Sequence, residues 1–476
     1  MKKTKIVATI SDKNCTRKFI QDLYDNGLNV VRLNTAHQST EGALRVIEMV
    51  RQVSDKIAIL IDTKGPEIRT NECGEGLSFK AGEEVLIKGD PNQVCNTKCL
   101  YVNYSGFVKE VKEGSEILID DGYIILTVIS KSNDSLICRF QTDSLVKSRK
   151  SVNVPQTNFD LPSINKKDKE FIQFAIEQDI DFIAHSFVRN KEDVLAVQEI
   201  LDKSESKIKI IAKIENQQGV NNIDEILDYA YGIMVARGDL SVEIPYEQTP
   251  AVQRKLIEKC INKRKPVIIA TQMLHSMIDY PRPTRAEVSD IAGAVYNQAD
   301  ALMLSGETAF GKYPIEAIAT MTKVAAEVEK STDSFRNIEP VVLNSDVSAF
   351  LTKATVEASV NLNAAAIVAD TISGRTIRNL SGYRGEKPVY AICYHKRTMR
   401  ELALTYGVYP QFMERKNSSH EFLQESLNLL LLEAKLDKKD LVVIIAGNFG
   451  LHHGASYIEA GTIENLLNLH TPGLTF

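Results

Sequence analysis

Charged side chains stand at the ends of several short apolar runs, and their types suit the transfer of a phosphoryl group. Lys213 and Glu215 lie two residues apart on one predicted strand, so their side chains point to the same side. A structural ion pair is the alternative explanation for these two residues. Asp62 and Asp239 close two other runs, and carboxylates that converge need cations to offset their repulsion. With Arg32, this set could hold Mg²⁺ and stabilise negative charge on phosphate oxygens.

These residues are far apart in sequence, and the apolar pattern predicts a frame that brings them together. Short β-branched runs alternate with longer amphipathic segments, as in parallel sheets covered by helices. Eight such units over about 240 residues, once an insert is set aside, match a (β/α)₈ TIM barrel. The predicted strands are Lys5–Ile10, Asn29–Asn34, Ile57–Asp62, Phe182–Phe187, Lys209–Glu215, Gly232–Arg237, Val267–Thr271 and Ala301–Ser305. The predicted helices include Lys191–Leu201 and Thr284–Tyr296.

The polar residues lie where a barrel of this kind carries its chemistry. In (β/α)₈ barrels the active site forms at the C-terminal ends of the strands, next to the loops that lead to the helices. These ends carry Arg32, Asn34, Asp62, Thr63, Lys64, Ser186, Lys213, Glu215, Arg237, Asp239, Thr271, Gln272, Ser305 and Glu307. The glycine within Val235–Leu240 also lets the backbone approach a ligand, whose carboxylate or phosphate could accept from backbone N–H groups.

Two further units accompany the barrel in the predicted α/β fold. The barrel occupies residues 1–70 and 160–334, and an insert of short strands occupies 71–159. An Asp-Gly pair at 121–122 between alternating apolar runs predicts a hairpin in this insert. Because the insert leaves the barrel after the third strand, we expect a small β-barrel lid over the barrel mouth. An open α/β domain, expected to be regulatory, occupies 335–476, with strands at Ala364–Ala369, Val389–Cys393, Val408–Phe412 and Asp440–Ala446.

Composition excludes several classes of protein. The chain has 476 residues and a formal net charge of −5, which gives no basic footprint for nucleic acid. Its apolar runs fall short of the roughly 20 residues that cross a membrane, and its start lacks the apolar stretch of a signal peptide. Seven scattered cysteines argue against a disulfide framework and favour a reducing cytoplasm.

Long strings around these residues resemble the pyruvate kinase family. Their order and spacing fit over about residues 3–447. The resemblance implies an enzyme that transfers the phosphoryl group of phosphoenolpyruvate to ADP, giving pyruvate and ATP in the last step of glycolysis. It also implies a cytoplasmic homotetramer. The strings are DTKGPEIRT (Asp62–Thr70), IIAKIENQQGVNN (Ile210–Asn222), IMVARGDL (Ile233–Leu240), ATQML (Ala270–Leu274), PRPTRAE (Pro281–Glu287) and MLSGETA (Met303–Ala309).

The resemblance also implies a role for each residue at the predicted site. Arg32 would bind the phosphate of phosphoenolpyruvate, and Lys213 would stabilise the phosphoryl group during transfer. Glu215 and Asp239 would bind Mg²⁺ or Mn²⁺, and a second Mg²⁺ would arrive with ADP. Thr271 is also a candidate proton donor to the enolate, and because a neutral threonine is a poor acid we expect a relay through water. The carboxylate end of the substrate would be held by Thr271 and by the backbone of Ala236, Arg237, Gly238 and Asp239.

Nucleotide and K⁺ would bind beside the substrate in the same scheme. Arg69 and Lys150 would face the nucleotide phosphates, with Lys150 reaching in from the lid. Ala36 stands where the family has serine, so one oxygen ligand for K⁺ is lost. Glu67 matches the residue found in the K⁺-dependent subgroup of the family. We therefore still expect K⁺ to activate the enzyme, with the ion bound more weakly or with a water molecule in place of the missing ligand. The remaining K⁺ ligands would be Asn34, Asp62 and the carbonyl of Thr63.

Other positions depart from the family pattern and mark a divergent member. Ser151 at the lid hinge and Ser241 after the sixth strand stand where glycine is common, and His275 replaces a usual glutamate. A serine at a hinge would slow lid closure if a positive φ is needed there. The candidate catalytic side chains are all retained.

A loop in the third domain is similar to the phosphate loop that binds a sugar-phosphate effector in this family. The loop follows a predicted strand and opens a helix, where backbone N–H groups can bind an anion. An ordinary helix cap is an equally weighted alternative. The family's partner segment corresponds to Gly454–Tyr457 and departs from the usual string, which leaves the identity of the effector open. The loop residues are Thr371, Ser373, Gly374, Arg375 and Thr376.

Two other functions remain as alternatives from the sequence. A metal-dependent barrel lyase or aldolase would also pair glutamate and aspartate around Mg²⁺, but it would not need a lid that carries Lys150. A regulatory paralogue without activity would explain the departures, but it would not explain the retained catalytic set. Turnover of phosphoenolpyruvate with ADP separates these functions.

Overall fold

The computed structural model describes residues 2–331, 347–416, 418–447 and 455–469, and its central unit is a closed barrel of eight parallel strands. An insert divides the barrel strands into two groups. The first group is β1 (Lys5–Thr9), β2 (Val30–Asn34) and β3 (Ala58–Asp62). The insert contributes β4 (Leu77–Phe79), β5 (Glu84–Gly89), β6 (Cys99–Val102), β7 (Glu116–Ile119), β8 (Ile124–Lys131), β9 (Leu136–Phe140), β10 (Ser144–Val146) and β11 (Val152–Asn153). The barrel resumes with β12 (Phe182–His185), β13 (Lys209–Ile214), β14 (Gly232–Ala236), β15 (Val267–Ala270) and β16 (Ala301–Leu304).

The predicted TIM barrel is confirmed, and all eight strands lie within the predicted runs. The order around the barrel is β1-β16-β15-β14-β13-β12-β3-β2. The strands read as nearly continuous apolar runs because both of their faces are buried. Asp62, at the end of β3, pairs with Ala184 of β12, so the insert leaves the barrel at one strand and returns to its neighbour. The C-terminal ends of β2, β3, β12, β13 and β14 therefore lie side by side.

Helices cover the outside of the barrel and the faces of the C-terminal sheet. Those up to the end of the barrel are α1 (Arg17–Asp25), α2 (Thr40–Val53), α3 (Phe107–Glu110), α4 (Lys166–Glu177), α5 (Lys191–Lys203), α6 (Gln217–Asn221), α7 (Ile223–Tyr229), α8 (Arg237–Glu243), α9 (Thr249–Asn262), α10 (Arg285–Tyr296), α11 (Gly306–Ala309) and α12 (Pro314–Val328). The later ones are α13 (Val347–Asn361), α14 (Arg375–Gly382), α15 (Lys396–Glu401), α16 (Ser419–Leu432) and α17 (Ile463–Leu469). Within the described ranges, none of these helices has the length and apolar character needed to cross a membrane.

The insert is built from short strands, as predicted, with one addition. Its strands form a six-stranded sheet in the order β11-β7-β8-β9-β5-β6 and a two-stranded sheet of β10 and β4. The all-β prediction missed α3, a single helical turn that packs the buried Phe107 into the core of the insert. The predicted hairpin joins β7 to β8. Its turn has positive φ at Asp120, Asp121 and Gly122.

The C-terminal unit is an open sheet with helices on both faces. The four predicted strands correspond to β17 (Ala366–Thr371), β18 (Val389–Cys393), β19 (Val408–Phe412) and β20 (Leu441–Gly447). A fifth strand, β21 (Ala455–Thr462), was missed and pairs antiparallel with β20 at the edge of the sheet. The predicted partner segment of the effector loop starts at Gly454, outside the described residues, and continues into β21. The boundary predicted at residues 334–335 also lies outside the described residues.

A buried ion pair connects the barrel to the C-terminal unit. Arg384 Nη2 lies 2.7 Å from Asp300 Oδ2, and both side chains are 3% exposed. Asp300 also accepts hydrogen bonds from the backbone N–H groups of Val267 at 3.1 Å and Tyr406 at 3.0 Å. The carboxylate is therefore bound from the barrel on one side and from the C-terminal unit on the other.

Replacing Arg384 by methionine is expected to lower the free energy of unfolding by about 3–5 kcal/mol, because Asp300 would keep a buried charge without its partner. Urea unfolding at neutral pH measures this change. Lys80→Met, which breaks an exposed ion pair with Asp143, is the control and should cost no more than about 1 kcal/mol. Equal losses of unfolding free energy in the two variants would show that the buried ion pair stabilises the fold no more than the exposed pair does.

Candidate active site

Lys213 lies at the centre of a polar cluster at the mouth of the barrel. Its ammonium group is 3.1 Å from Asp62 Oδ1 and 3.0 Å from Glu215 Oε1. It also donates a hydrogen bond to the hydroxyl of Ser186 at 2.7 Å. Burial alone would lower the pKa of Lys213, but the carboxylates of Asp62 and Glu215 raise it above its ordinary value. The lysine therefore stays charged at neutral pH.

Arg32 forms the second cationic group of the cluster. Its Nε donates to Asp62 Oδ2 at 2.6 Å, and its Nη1 donates to the hydroxyl of Thr9 at 2.9 Å. Burial would raise the pKa of Asp62, but Arg32 and Lys213 lower it below its usual range. Asp62 thus remains ionised and holds two cations at fixed positions. Those cations are arranged to receive the oxygens of an anionic ligand.

Glu215 and Asp239 form a pair of carboxylates beside Lys213. Glu215 Oε2 accepts from the backbone N–H of Phe187 at 2.7 Å, and Glu215 and Asp239 line the same cavity. Burial raises the pKa of Glu215 to about 7, against the opposing effect of Lys213 and with a further contribution from Asp239. Burial also raises the pKa of Asp239, and the nearby Glu67 and Asp121 add to the rise. A divalent cation would relieve this repulsion, so the pair fits such an ion.

The pair is not a complete metal site by itself. Across the described residues, no group of three or more His, Cys, Asp or Glu side chains is placed to hold a metal ion. Mg²⁺ commonly binds through one or two carboxylates and completes its shell with water and substrate oxygens. The site therefore suits an ion that binds together with an oxygen-rich substrate.

The strand ends of β14 and β15 form another wall of the same cleft. Thr271 follows β15, and its hydroxyl accepts a hydrogen bond from the backbone N–H of Gly238 at 2.8 Å. Gly238, Asp239 and Thr271 line the cleft. The side chain of Arg237 turns the other way and donates to Asp290 Oδ1 at 2.6 Å. Arg237 can thus contribute only its backbone to the cleft, together with that of the buried Ala236.

The predicted K⁺ ligands lie at the edge of the polar cluster. Asn34 Oδ1 accepts from the backbone N–H of Ala36 at 3.1 Å, and the carbonyl of Thr63 accepts from the hydroxyl of Ser186 at 2.7 Å. Asn34, Ala36, Asp62 and Thr63 line one cavity of about 830 Å³. The structure thus brings the three predicted ligands together, with a methyl group at position 36.

The two residues predicted to face the nucleotide are held in ion pairs. Arg69 contacts Glu67 Oε2 at 2.7 Å and donates to the carbonyl of Arg149 at 2.6 Å. Lys150 Nζ lies 2.8 Å from Asp120 Oδ1 in the β7–β8 turn. Arg69 lines the same cavity as the polar cluster, whereas Lys150 is held at the turn of the insert. A phosphate that approached either cation would compete with the carboxylate that now holds it.

Two residues at the site, Ser186 and Asp121, were not assigned a role from the sequence. Ser186 was seen at the end of a strand, but its contacts with both Lys213 and Asp62 depend on the pairing of β3 with β12. Asp121 was interpreted only as part of a turn, yet it lines a second cavity of about 820 Å³ together with Thr271. No sequence signal marks either contact, because both join segments that are distant along the chain.

The predicted effector loop lies in the C-terminal unit, at the end of β17. Thr371 accepts from the backbone N–H of Gly374 at 2.8 Å, and Gly374 has a φ of 78° before α14 begins at Arg375. Ser373 uses its carbonyl to accept from Arg378 at 3.2 Å. The loop thus has the internal hydrogen bonds of a helix cap, and this geometry is compatible with either interpretation made from the sequence.

Comparisons with known proteins agree with this geometry. A family model described as "Pyruvate kinase, barrel domain" matches residues 1–318, and one described as "Pyruvate kinase, alpha/beta domain" matches 350–458. A pyruvate kinase of Borreliella burgdorferi is 46% identical over 471 residues, which cover 98% of each chain. Those of Bacillus licheniformis and Clostridium acetobutylicum are 41% and 40% identical, covering 99% and 94% of this chain and 81% and 96% of their own. This chain belongs to the pyruvate kinase family.

Proposed function

We propose that this chain transfers the phosphoryl group of phosphoenolpyruvate to ADP, giving pyruvate and ATP, as the last step of glycolysis in the cytoplasm. The observation that carries the proposal is the position of Lys213, buried at the barrel mouth between Asp62, Glu215 and Ser186. A buried ammonium group held by carboxylates is a preorganised cation for charge that develops during phosphoryl transfer.

Arg32 and Lys213 would bind the phosphate of phosphoenolpyruvate from two sides. Both are bonded to Asp62, which keeps their cationic groups at fixed positions before the substrate arrives. Because these groups need no reorganisation, they would stabilise the equatorial oxygens of the phosphoryl group as it moves to ADP. The carboxylate of the substrate would be held by backbone N–H groups at the start of α8.

Glu215 and Asp239 would hold Mg²⁺ or Mn²⁺, which supplies a Lewis acid for the phosphoryl and enolate oxygens. Burial and neighbouring carboxylates raise the pKa of both carboxyl groups, and a bound cation would offset the repulsion between their charged forms. The raised pKa of both groups therefore supports this assignment. Two protein ligands leave room for substrate oxygens. A second Mg²⁺ would enter with ADP, whose phosphates would be contacted by Arg69 and, from the lid, by Lys150.

Loss of the phosphoryl group leaves the enolate of pyruvate, which must gain a proton at its methylene carbon. Thr271 lines a different cavity from the one that Arg69 lines, and its hydroxyl is oriented by the N–H of Gly238. A neutral threonine hydroxyl is a poor acid, so we propose that Thr271 orders a water chain that delivers the proton. The residues around Lys213 would then stabilise the phosphoryl group during transfer, while Thr271 and the water chain would deliver the proton to the enolate.

Activation by K⁺ is proposed through Asn34, Asp62 and the carbonyl of Thr63. Ala36→Ser is expected to lower the K⁺ concentration for half-maximal activity by about fivefold, which corresponds to one added oxygen ligand worth about 1 kcal/mol. The measurement is activity against KCl at constant ionic strength set with choline chloride. An unchanged K⁺ requirement in the variant would mean that position 36 does not face the ion.

The other proposals for the chain rest on resemblance and on its separate apolar cores. The barrel, the insert and the C-terminal sheet each bury their own core, which supports the boundaries 1–70 with 160–334, 71–159 and 335–476.

We propose a homotetramer, with a sugar-phosphate effector at Thr371–Thr376. Ser151, at the proposed lid hinge, exchanges two hydrogen bonds with Asp121 in the β7–β8 turn, so this turn and the proposed hinge are joined.

A coupled assay with lactate dehydrogenase tests the proposed function. Wild-type protein with phosphoenolpyruvate, ADP and Mg²⁺ should form pyruvate, and K⁺ should increase the rate. A lyase or aldolase would process pyruvate enolates without a need for ADP. A regulatory paralogue would show no turnover above background at saturating substrate, and that result would refute the proposal.

A further inference from the structure

The turn that follows β15 has an unusual backbone. Thr271 and Gln272 both have positive φ, at 71° and 53°. This region is costly for a β-branched residue such as threonine, so the surrounding contacts must hold the turn in place. The hydroxyl of Thr271 donates to the carbonyl of Ala270 at 2.6 Å and accepts from Gly238 at 2.8 Å. The strained turn therefore sets the direction of the threonine hydroxyl.

The side chain of Arg237 binds the same turn from behind. Its Nε donates to the carbonyl of Ala270 at 3.2 Å, and its Nη2 donates to the carbonyl of Thr271 at 2.7 Å. The guanidinium group is a rigid fork of donors, so one side chain can hold two successive carbonyls. Gly238 comes directly after Arg237 and donates to the Thr271 hydroxyl. One short segment thus binds both the backbone and the side chain of Thr271.

Arg237 is anchored on the side away from the cleft. Its Nη1 donates to Asp290 Oδ1 of α10 at 2.6 Å, and it also reaches Gln253 Oε1 of α9 at 3.4 Å. Gly238 and Thr271 line the cleft, whereas Arg237 and Asp290 lie behind its wall. The arginine side chain is 14% exposed. Its hydrogen bonds therefore connect the turn to α9 and α10, the helices that lie behind the barrel wall.

We propose that Arg237 is a positioning residue for Thr271, that Asp290 is its anchor, and that the guanidinium group does not bind substrate. The proposal rests on the proposed function, because it concerns the proton that reaches the enolate on the Thr271 side. Without the fork, the turn would relax from its left-handed backbone, and the hydroxyl would lose its direction. The chemical step would slow while the binding of phosphoenolpyruvate through Arg32 and Lys213 would remain.

A double-mutant cycle tests this role with Arg237→Gln, Thr271→Ala and the combined variant. The readouts are kcat, KM for phosphoenolpyruvate, and the exchange of the methyl protons of pyruvate with D₂O in the presence of Mg²⁺ and ATP. Arg237→Gln should lower kcat and the exchange rate by about 10²-fold, as misplaced groups do. KM should change by less than about threefold. The combined variant should be no more than about threefold slower than Thr271→Ala.

Two further variants separate positioning from a loss of folding. Arg237→Lys should restore little, because one ammonium group cannot reproduce the fork that holds both carbonyls. Asp290→Asn lies outside the cleft and should lower the exchange rate in the same direction by a smaller factor. Arg139→Gln, in the exposed pair with Glu84, is the matched control and should leave the exchange rate unchanged. Thermal melting of each variant checks that it is folded.

The outcomes separate a failure of the positioning role of Arg237 from a failure of the proposed function. Losses that multiply in the combined variant, or a large rise in KM with unchanged kcat, would overturn the positioning role and make Arg237 an independent ligand. No effect of Thr271→Ala on proton exchange would overturn it as well. Absence of turnover in the wild-type protein would instead refute the proposed function. If the wild-type protein turns over substrate and the losses of the two single variants multiply in the combined variant, only the role of Arg237 would be refuted.

Discussion

Replacing Lys213 by methionine is expected to lower the rate of phosphoryl transfer by at least about 10³-fold, the scale on which a cationic group contributes to this chemistry. The lysine lies in the centre of the cluster, with Asp62, Glu215 and Ser186 all bound to its ammonium group. Methionine has a similar length and fills the same space without charge. The loss would therefore come from the missing cation, and the coupled pyruvate assay under saturating substrate measures it.

A binding measurement distinguishes this loss from general misfolding. Without the ammonium group, the carboxylates of Glu215 and Asp239 are no longer opposed by a neighbouring cation, so a divalent cation should bind at least as tightly as in the wild type. Titration with Mn²⁺, followed by electron paramagnetic resonance, reports this affinity. A variant that loses both turnover and Mn²⁺ binding would be misfolded, and one with near wild-type turnover would contradict the role of Lys213.

Removing either carboxylate of the pair is expected to have the second largest effect. Glu215→Gln and Asp239→Asn keep the size of each side chain but leave one carboxylate where the proposed Mg²⁺ site has two. We expect kcat to fall by about 10²–10³-fold at a fixed Mg²⁺ concentration, the scale on which a single group that stabilises transition-state charge contributes. The Mg²⁺ concentration for half-maximal activity should rise in both variants, because the cation would lose a charged ligand.

The measurement is activity against Mg²⁺ concentration, combined with direct titration of Mn²⁺. Asp279→Asn, which removes the exposed partner of Lys312, is a control of the same kind and should leave the Mg²⁺ dependence unchanged. Activity that recovers at high Mg²⁺ would support a role in binding the ion. A fall in kcat with an unchanged Mg²⁺ requirement would contradict it and would give the carboxylates another function.

The positions of the chemical groups were predictable where a single strand carries them. Lys213 lies in β13 and Glu215 follows directly after it, and Asp62 and Asp239 come at or just after the ends of β3 and β14, so the barrel rule places them together. The family of the chain was likewise evident from the strings that surround these residues. Such information is local, because it depends on periodicity and on the ends of strands.

Contacts between distant segments could not be predicted in the same way. The direction of the Arg237 side chain depends on Asp290, which comes from another helix. The pairing of Lys150 with Asp120 depends on how the insert folds back over its own hairpin. The strand β21 was missed because most of its residues are half-buried or exposed and form no continuous apolar run, which reflects its position at the edge of the completed sheet. Tertiary packing determines each of these features, so local patterns carry little information about them.

The residues around Lys213 are proposed to stabilise a phosphoryl group as it passes from phosphoenolpyruvate to ADP. Phosphorus nuclear magnetic resonance can follow both substrates and products in one sample of the wild-type protein with Mg²⁺ and K⁺. We predict that the phosphoenolpyruvate signal is replaced by the γ-phosphate signal of ATP in equal amount, and that this change is at least about 10³-fold slower in Lys213→Met. Release of inorganic phosphate without ATP, or transfer at a near wild-type rate in Lys213→Met, would contradict the proposed function.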